Sequence, residues 1–425
     1  MMESKKLIRW PRLVIGVAIL LFAGVIYAWS VINTPFRVVD TLVEVINGEE
    51  VVRTIVKNAP QLGHNYTLTI IFFCIGGLTS GLVSKKVPAV LRLIISAALL
   101  FSGFFISSRL VGSIADGGNY TMLYLAYGVM SGAGIGVAYN TVIGATNAWF
   151  PDKQGLCSGI QLMGFGLSAL IVGEIIKAIG RTGEIDWSNM YANFAVAIAS
   201  ILLIAAFLVK PPPKGTALPA PKTVKKSALS DEIKDYTLLE MLKRPSFYLI
   251  FVYCTIVAAS GSAAIGFARD IVTDVGATAD FAVTTVGILA VTNGLGRLSC
   301  GWLFDHLRIR QTQMISACLA IAAPVTVALG LMAGSLAICF IGMCLCGFTY
   351  GFCPTTLSVF AARFYGPKNF SINFSMMNLV LIPAPFAAKL AGNLKDASGE
   401  FLSTFVILTG LTVIAFFVNL GIKKA

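Results

Sequence analysis

Apolar residues fill this chain in long blocks, broken at intervals by short polar clusters. Windows of roughly 20 apolar residues, the length that crosses a bilayer as a helix, lie at 13–36, 64–84, 87–107, 119–149, 156–179 and 191–209. Six more follow at 246–268, 281–304, 312–334, 336–362, 371–393 and 401–422. The pattern predicts an all-α polytopic membrane protein with twelve transmembrane helices.

The sixth and seventh windows are separated by "KPPPKGTALPAPKTVKKSALSDEIKDYTLLEMLKRP", whose Pro, Lys and Ser content cannot supply a core. It reads as a linker, with a short amphipathic turn at "YTLLEMLKRP" docking before helix 7. The chain then divides into an N-terminal six-helix half (1–210), the linker (211–245) and a C-terminal six-helix half (246–425). The halves echo one another, since helix 4 runs into "NAWFPDKQGLCSG" and helix 10 into "AARFYGPKNFSIN". Parallel repetition of this kind marks transporters that rock about a central site. Glycines cluster in "SGAGIGVAY" and "MGFGLSAL", where small residues let helix backbones approach closely. Between the first two windows, Asn47-Gly48 stands between β-branched runs, which fits either a small hairpin or lid or a partly disordered loop.

Composition agrees with the pattern. The 425 residues are 56% hydrophobic and 12% charged, about half the ~25% charge that covers a soluble domain. The net charge of +12 is distributed by topology. Lys5, Lys6, Arg9 and Arg12 precede helix 1, Lys85, Lys86 and Arg92 lie in or near the second connection, and a run from Lys210 to Arg244 spans the linker. Arg308 and Arg310 follow helix 8, and Lys423 and Lys424 end the chain, whereas 37–62 sets Asp40, Glu44, Glu49 and Glu50 against Arg37, Arg53 and Lys57. This positive-inside bias places both termini in the cytoplasm of a multi-pass cell-membrane protein. With no basic-aromatic module beside it, the surplus points to the lipid bilayer rather than to nucleic acid. The nine cysteines form no CxxC and only two histidines occur, so no metal site, cofactor or enzymatic triad is expected.

One residue resists a lipid-facing assignment. In "AVTNGLGRLSCGWLFDHLRIR" Arg297 stands inside an apolar run, with Asn293 one turn before it on the same face. A mid-helix Arg costs about 2.5–3.5 kcal/mol on insertion scales. No carboxylate lies at similar depth: Glu174 falls near the outer end of helix 5 and Asp305 at the membrane edge. A buried guanidinium without a resident counter-ion predicts that the ligand is the counter-ion, and its planar fork suits a carboxylate.

"GWLFDHLRIR" resembles the cytoplasmic gate motif of the major facilitator superfamily, which implies gating roles for Asp305, Arg308 and Arg310. The matching "GLVSKKVPAVLR" has Ser84 in the expected acidic place. More specifically, "YAWSVINTPF", "GAGIGVAYNTVIGATNAWFPDKQGLCSG", "EMLKRPSFY" and "TNGLGR" together resemble the oxalate/formate antiporter family, related to the monocarboxylate transporters. The resemblance implies the major facilitator fold, a monomeric working unit and an aromatic-walled cavity for a small carboxylate. It assigns cage positions to Tyr27, Tyr139, Tyr350 and Phe374, and the substrate arginine to Arg297. Oxalate exchangers of the family carry a second cation in helix 11; here that position is Met377, with Asn378 beside it, and Lys389 lies near the helix's outer end. One fixed charge predicts a monocarboxylate such as lactate, pyruvate or formate, with oxalate/formate exchange or a non-transporting carboxylate sensor as alternatives. Some monocarboxylate transporters place an Asp where Asn293 stands, so a proton carrier is not visible; His64 is a weak candidate. Coupling is expected to be proton symport or anion exchange.

Overall fold

The computed structural model describes residues 2–46, 49–114, 118–181, 183–213, 215–219, 234–383, 386, 390, 392–395, 398 and 400–422. The Asn47-Gly48 turn, Lys389, Lys214, Lys222, Lys225, Lys226, Lys423 and Lys424 lie outside the described residues.

Among the described residues, eleven helices are long and apolar enough to cross a bilayer. The first six are α1 (Met2–Ala23), α2 (Ala59–Val83), α3 (Ala89–Arg109), α4 (Tyr120–Asn147), α5 (Gln154–Gly180) and α6 (Trp187–Leu208). After the linker come α7 (Pro245–Gly266), α8 (Ala279–His306), α9 (Ile309–Met332) and α10 (Leu336–Phe364). α11 begins at Phe370–Met377 and tightens into a 3-10 turn at Asn378–Leu381, and α12 spans Leu402–Leu420. The expected eleventh window, 371–393, thus starts as a short helix, and part of its far end is outside the described residues. Helices dominate because lipid offers backbone N–H and C=O groups no partner, so each segment must bond within itself. Ile204, Phe207 and Phe417 remain exposed on the outer surface, where hydrocarbon replaces water.

Between α1 and α2, strands β1 (Val39–Ile46) and β2 (Glu49–Val56) pair antiparallel, with Val39 opposite Val56 and Ile46 opposite Glu49. Of the two readings open at Asn47-Gly48, the hairpin is therefore the one present.

Glycines set the closest helix approaches. A methyl group at Gly132 of α4 would stand 2.7 Å from the Thr69 carbonyl oxygen of α2, and Gly76 and Gly136 meet the facing backbone in the same seam. In "MGFGLSAL", Gly164 faces Val17 of α1, whereas Gly166 faces Arg297 of α8.

Several helices depart from α geometry. α1 passes into a 3-10 turn at Gly24–Ala28, which contains Tyr27. α4 holds a π-helical stretch at Tyr124–Ser131 and α10 ends in one at Phe360–Phe364. Such irregular turns often mark functional stretches.

The linker end docks as expected. Thr237 and Glu240 form a capping box on the short helix Leu238–Leu242, and the Thr237 backbone N–H, 2.8 Å from Glu240 Oε2, lowers the pKa of that carboxyl. Tyr236 donates its N–H to the Tyr365 carbonyl at 2.8 Å. Its own carbonyl accepts Asn369 Nδ2 at 2.8 Å and Asn373 Nδ2 at 3.0 Å, while Asp235 accepts the Lys368 N–H at 2.9 Å. The turn they hold includes Gly366, whose φ of +87° suits glycine.

Candidate functional site

Arg297 is 1% exposed and is the bulkiest fully buried side chain described. Its helix is clasped closely on both sides. A methyl at Gly159 of α5 would stand 2.6 Å from the Arg297 carbonyl oxygen, and one at Gly351 of α10 would stand 2.8 Å from its amide nitrogen. The side chain points across to α5. Nε donates to Asn293 Oδ1 at 3.2 Å, and Nη1 donates to the Leu162 backbone carbonyl at 2.6 Å. Nη2 is buried and has no acceptor. Among the described residues no carboxylate pairs with this guanidinium. Leaving a buried charged donor unmatched costs on the order of 1–3 kcal/mol, so the unmatched edge of the fork favours an incoming acceptor.

The expected aromatic residues gather around that edge. The Arg297 guanidinium lies 5.8 Å from the Tyr27 ring centroid. Tyr139 stacks on Phe374 with centroids 5.8 Å apart and planes 18° apart. Tyr139 and Tyr350 both lie within electrostatic reach of Arg297 and Tyr27. Two further rings share this cluster without having been singled out from sequence. Phe165 meets Tyr27 at 5.4 Å and Tyr139 at 4.9 Å, and Phe73 meets Tyr139 at 5.1 Å. The rings contact one another in this conformation, so the site is closed in on itself.

On α11, Met377 is fully buried and Asn378 nearly so. Asn378 Oδ1 has no partner, while its carbonyl accepts the Cys74 thiol of α2 at 3.6 Å. His64 is exposed on α2, and Glu174 is exposed and paired with Lys177 at 2.8 Å.

Below the aromatic cluster, toward the face that carries both termini, polar side chains join the first six helices to the last six. Asn140 of α4 donates to the Ser371 carbonyl at 2.8 Å and to Ser375 Oγ at 2.6 Å; Ser375 Oγ donates to the Gly77 carbonyl at 2.8 Å. Ser158 of α5 and Ser358 of α10 share a bond of 2.8 Å, and Asn147 donates to Ser158 Oγ at 2.8 Å. No charge pattern advertises these residues in the sequence, since Ser and Asn in helices are common.

At the rim, Asp305 accepts the backbone N–H groups of Gly155 (3.1 Å) and Leu156 (2.7 Å) at the start of α5 and ion-pairs with Arg363. Arg308 and Arg310, the other residues of the gate motif, bond elsewhere. Arg310 bonds the terminal carbonyls of α12, Asn419 at 2.7 Å and Leu420 at 3.1 Å. Arg308 starts α9 with its backbone N–H on Gln311 Oε1 at 3.1 Å. The corresponding place in the first six helices needs correction. Asp305 stands four residues after Gly301, and the same spacing from Gly81 falls on Lys85. Ser84 bonds its own helix at Gly81, whereas Lys85 Nζ reaches Asn369 Oδ1 at 2.5 Å, just before α11. A cation on a neutral acceptor stands there in place of an acid.

Residues 41–388 match the Major Facilitator Superfamily. The chain belongs to that superfamily. A related superfamily protein of Escherichia coli (strain K12), itself called an uncharacterized transporter, is 26% identical over 382 residues, 87% of this chain and 84% of its own. The oxalate:formate antiporter of Oxalobacter formigenes is 25% identical over 372 residues, 85% and 80% of the two chains. Monocarboxylate transporter 12 of Rattus norvegicus is 21% identical over 351 residues, 77% and 71%. Among solved structures, the superfamily's proton:xylose symporter superposes with a TM-score of 0.72 at 14% identity, covering 98% of this chain and 97% of that one. As a superfamily member with this many apolar helices, the chain is a multi-pass membrane protein, and its family and fold are those of transporters, not enzymes.

Proposed function

We propose that the protein is a secondary transporter of small monocarboxylates of the lactate, pyruvate or formate type, working by alternating access between two six-helix halves, 1–210 and 246–425. The observation that carries this reading is Arg297, buried with Nη2 unmatched and without a carboxylate partner among the described residues. The acid would meet Nη2, with Tyr27, Tyr139, Tyr350 and Phe374 packing its short carbon frame and Asn293 and Asn378 supplying polar contacts. Met377 in the place of a second cation leaves a second carboxylate without a charge partner, which favours a monoacid over oxalate. The relationship to an oxalate:formate antiporter and to monocarboxylate transporters supports the same substrate class.

Uptake of a monoanion against an interior-negative potential costs about 2.3 kcal/mol per 100 mV, so an exchanged anion or a co-transported proton must accompany it. Asn293 in place of an acid beside Arg297 favours exchange, which moves no net charge when two monoanions trade places. The basic face would lie in the cytoplasm with both termini, and Asp305, Lys85 and their partners would hold that side shut. A monomer suffices for this cycle.

Counterflow in proteoliposomes loaded with lactate, formate or oxalate, with and without a pH gradient, tests the reading. Saturable exchange of monoacids that ignores the gradient is expected. Binding without counterflow would favour a sensor, and flux driven by the gradient alone would favour symport.

A further inference from the structure

The second glycine of "MGFG" is not used for helix packing in the way its neighbour is. A methyl group at Gly166 would stand 2.9 Å from Arg297 Nη1, 3.0 Å from Cζ and 3.3 Å from Nη2, so the guanidinium lies flat against the bare α5 backbone there. The acceptor of Nη1 is the carbonyl of Leu162, four residues earlier. In an α-helix that carbonyl already accepts the N–H of the residue four positions on, which here is Gly166. Cβ atoms tilt toward the helix N-terminus, so a side chain at Gly166 would cover the Leu162 carbonyl as well as collide with the fork.

We infer that Gly166 is a positioning residue for Arg297: its missing side chain opens the Leu162 carbonyl as a parking acceptor. Parking occupies Nη1, Asn293 holds Nε, and Nη2 is left without an acceptor. A carboxylate that engages the fork through Nη2 and the Nη1 N–H now on Leu162 takes the place of that carbonyl. Binding would thereby release one direct tie between α5 and α8, which lie on opposite sides of the linker in sequence. Occupancy and loosening are one exchange of acceptors. The inference rests on Arg297 as the carboxylate site and adds the backbone group with which substrate competes.

The test is a double-mutant cycle in the purified full-length protein, using Gly166→Ala, Arg297→Lys and both together. Gly173→Ala is the control, because a methyl there meets nothing within 4 Å. Lysine keeps the charge without the planar fork. Affinities for lactate, pyruvate and formate are measured beside ligand-free thermal unfolding. Gly166→Ala is expected to weaken binding of the preferred acid at least tenfold with Arg297 present and less than twofold with Arg297→Lys, and Gly173→Ala to leave it unchanged. Unaltered affinity in Gly166→Ala, or the same loss in both backgrounds, overturns the inference.

If the unaltered protein binds none of the three acids, the proposed function falls while the ligand-free arm still decides this point. A drop of about 2–4 °C from Gly166→Ala that disappears with Arg297→Lys supports parking; equal drops overturn it. Should Gly166→Ala fail to fold, folding restored by Arg297→Lys supports the inference, and failure in both backgrounds sinks it.

Discussion

Asp305 Oδ2, in the last turn of α8, accepts the backbone N–H of Leu156, in the first turn of α5, at 2.7 Å. A carboxylate at a helix N-terminus meets unpaired N–H groups and the positive end of the helix dipole. Arg363 completes the pair from α10, with Asp305 only 5% exposed. Three helices drawn from both sides of the linker are thus fastened by one acid.

Removing that acid with Asp305→Ala takes the acceptor from two α5 N–H groups and from Arg363 Nη2, while Arg363 Nη1 keeps the Phe304 carbonyl. With Arg363 22% exposed, the loss is on the order of 1–3 kcal/mol. The closed arrangement should loosen at this rim. Cys157, buried one turn into α5, reports on it: its alkylation by N-ethylmaleimide should accelerate at least tenfold. An unchanged rate would show that closure does not depend on Asp305.

Lys85 makes the analogous contact between α2 and α11 on the same side, but it is exposed and its partner is a neutral amide. A hydrogen bond of this kind contributes about 1 kcal/mol or less once solvent screening is allowed for. Lys85→Ala should therefore raise the alkylation of Cys74, at the α2–α11 contact, less than threefold. A larger change than Asp305→Ala produces at Cys157 would reverse the ranking of the two contacts.

Arg297→Ala removes the sole cation described at the aromatic cluster. A charge-assisted bond contributes about 1.5–3 kcal/mol, so binding of the preferred monoacid should weaken on the order of 10–100-fold. Arg297→Lys should recover only part of this, because an ammonium lacks the fork. Isothermal titration checks both, and equal binding by Arg297→Ala and the unaltered protein would remove the basis for the proposed substrate class.

Met377→Lys places a second cation on α11 near Arg297's cluster. Its expected effect is a change of preference, with the ratio of oxalate to lactate affinity rising at least tenfold. A lysine buried there without a dianion is a cost, so the ligand-free variant should melt earlier and oxalate should restore the midpoint. If oxalate and lactate affinities move together, Met377 does not set the charge preference.

The membrane architecture was legible because lipid demands unbroken apolar helices, and the windows leave few alternatives. α11 was less legible: Asn378 ends the regular α geometry inside an apolar window, and hydropathy does not register a change of helix type. Arg297 and Asn293 could be paired from sequence because four residues on one helix share a face. The Leu162 carbonyl could not, since a backbone acceptor has no residue signature and comes from 135 positions away. Gly166 was visible in "MGFGLSAL" as a small residue, but packing against a helix and packing against a guanidinium leave the same letter. Arg363 is remote from Asp305 in the chain and adjoins it only in space, so no local motif points to that pair. Ser84 was one place short of the position that Gly301-to-Asp305 spacing selects.

The welded end of the linker has a mechanical consequence. Asp235 and Tyr236 are bonded by three hydrogen bonds to the turn between α10 and α11 and by a fourth to Asn373 of α11, so the chain from there to α7 is tied to the last six helices. A protease nick upstream of Lys234 would leave that weld intact, and the severed fragments would still be gripped by α5 against α8 and α2 against α11. The protein should behave as a heterodimer in waiting, whose two pieces co-purify and whose covalent join is a convenience of synthesis.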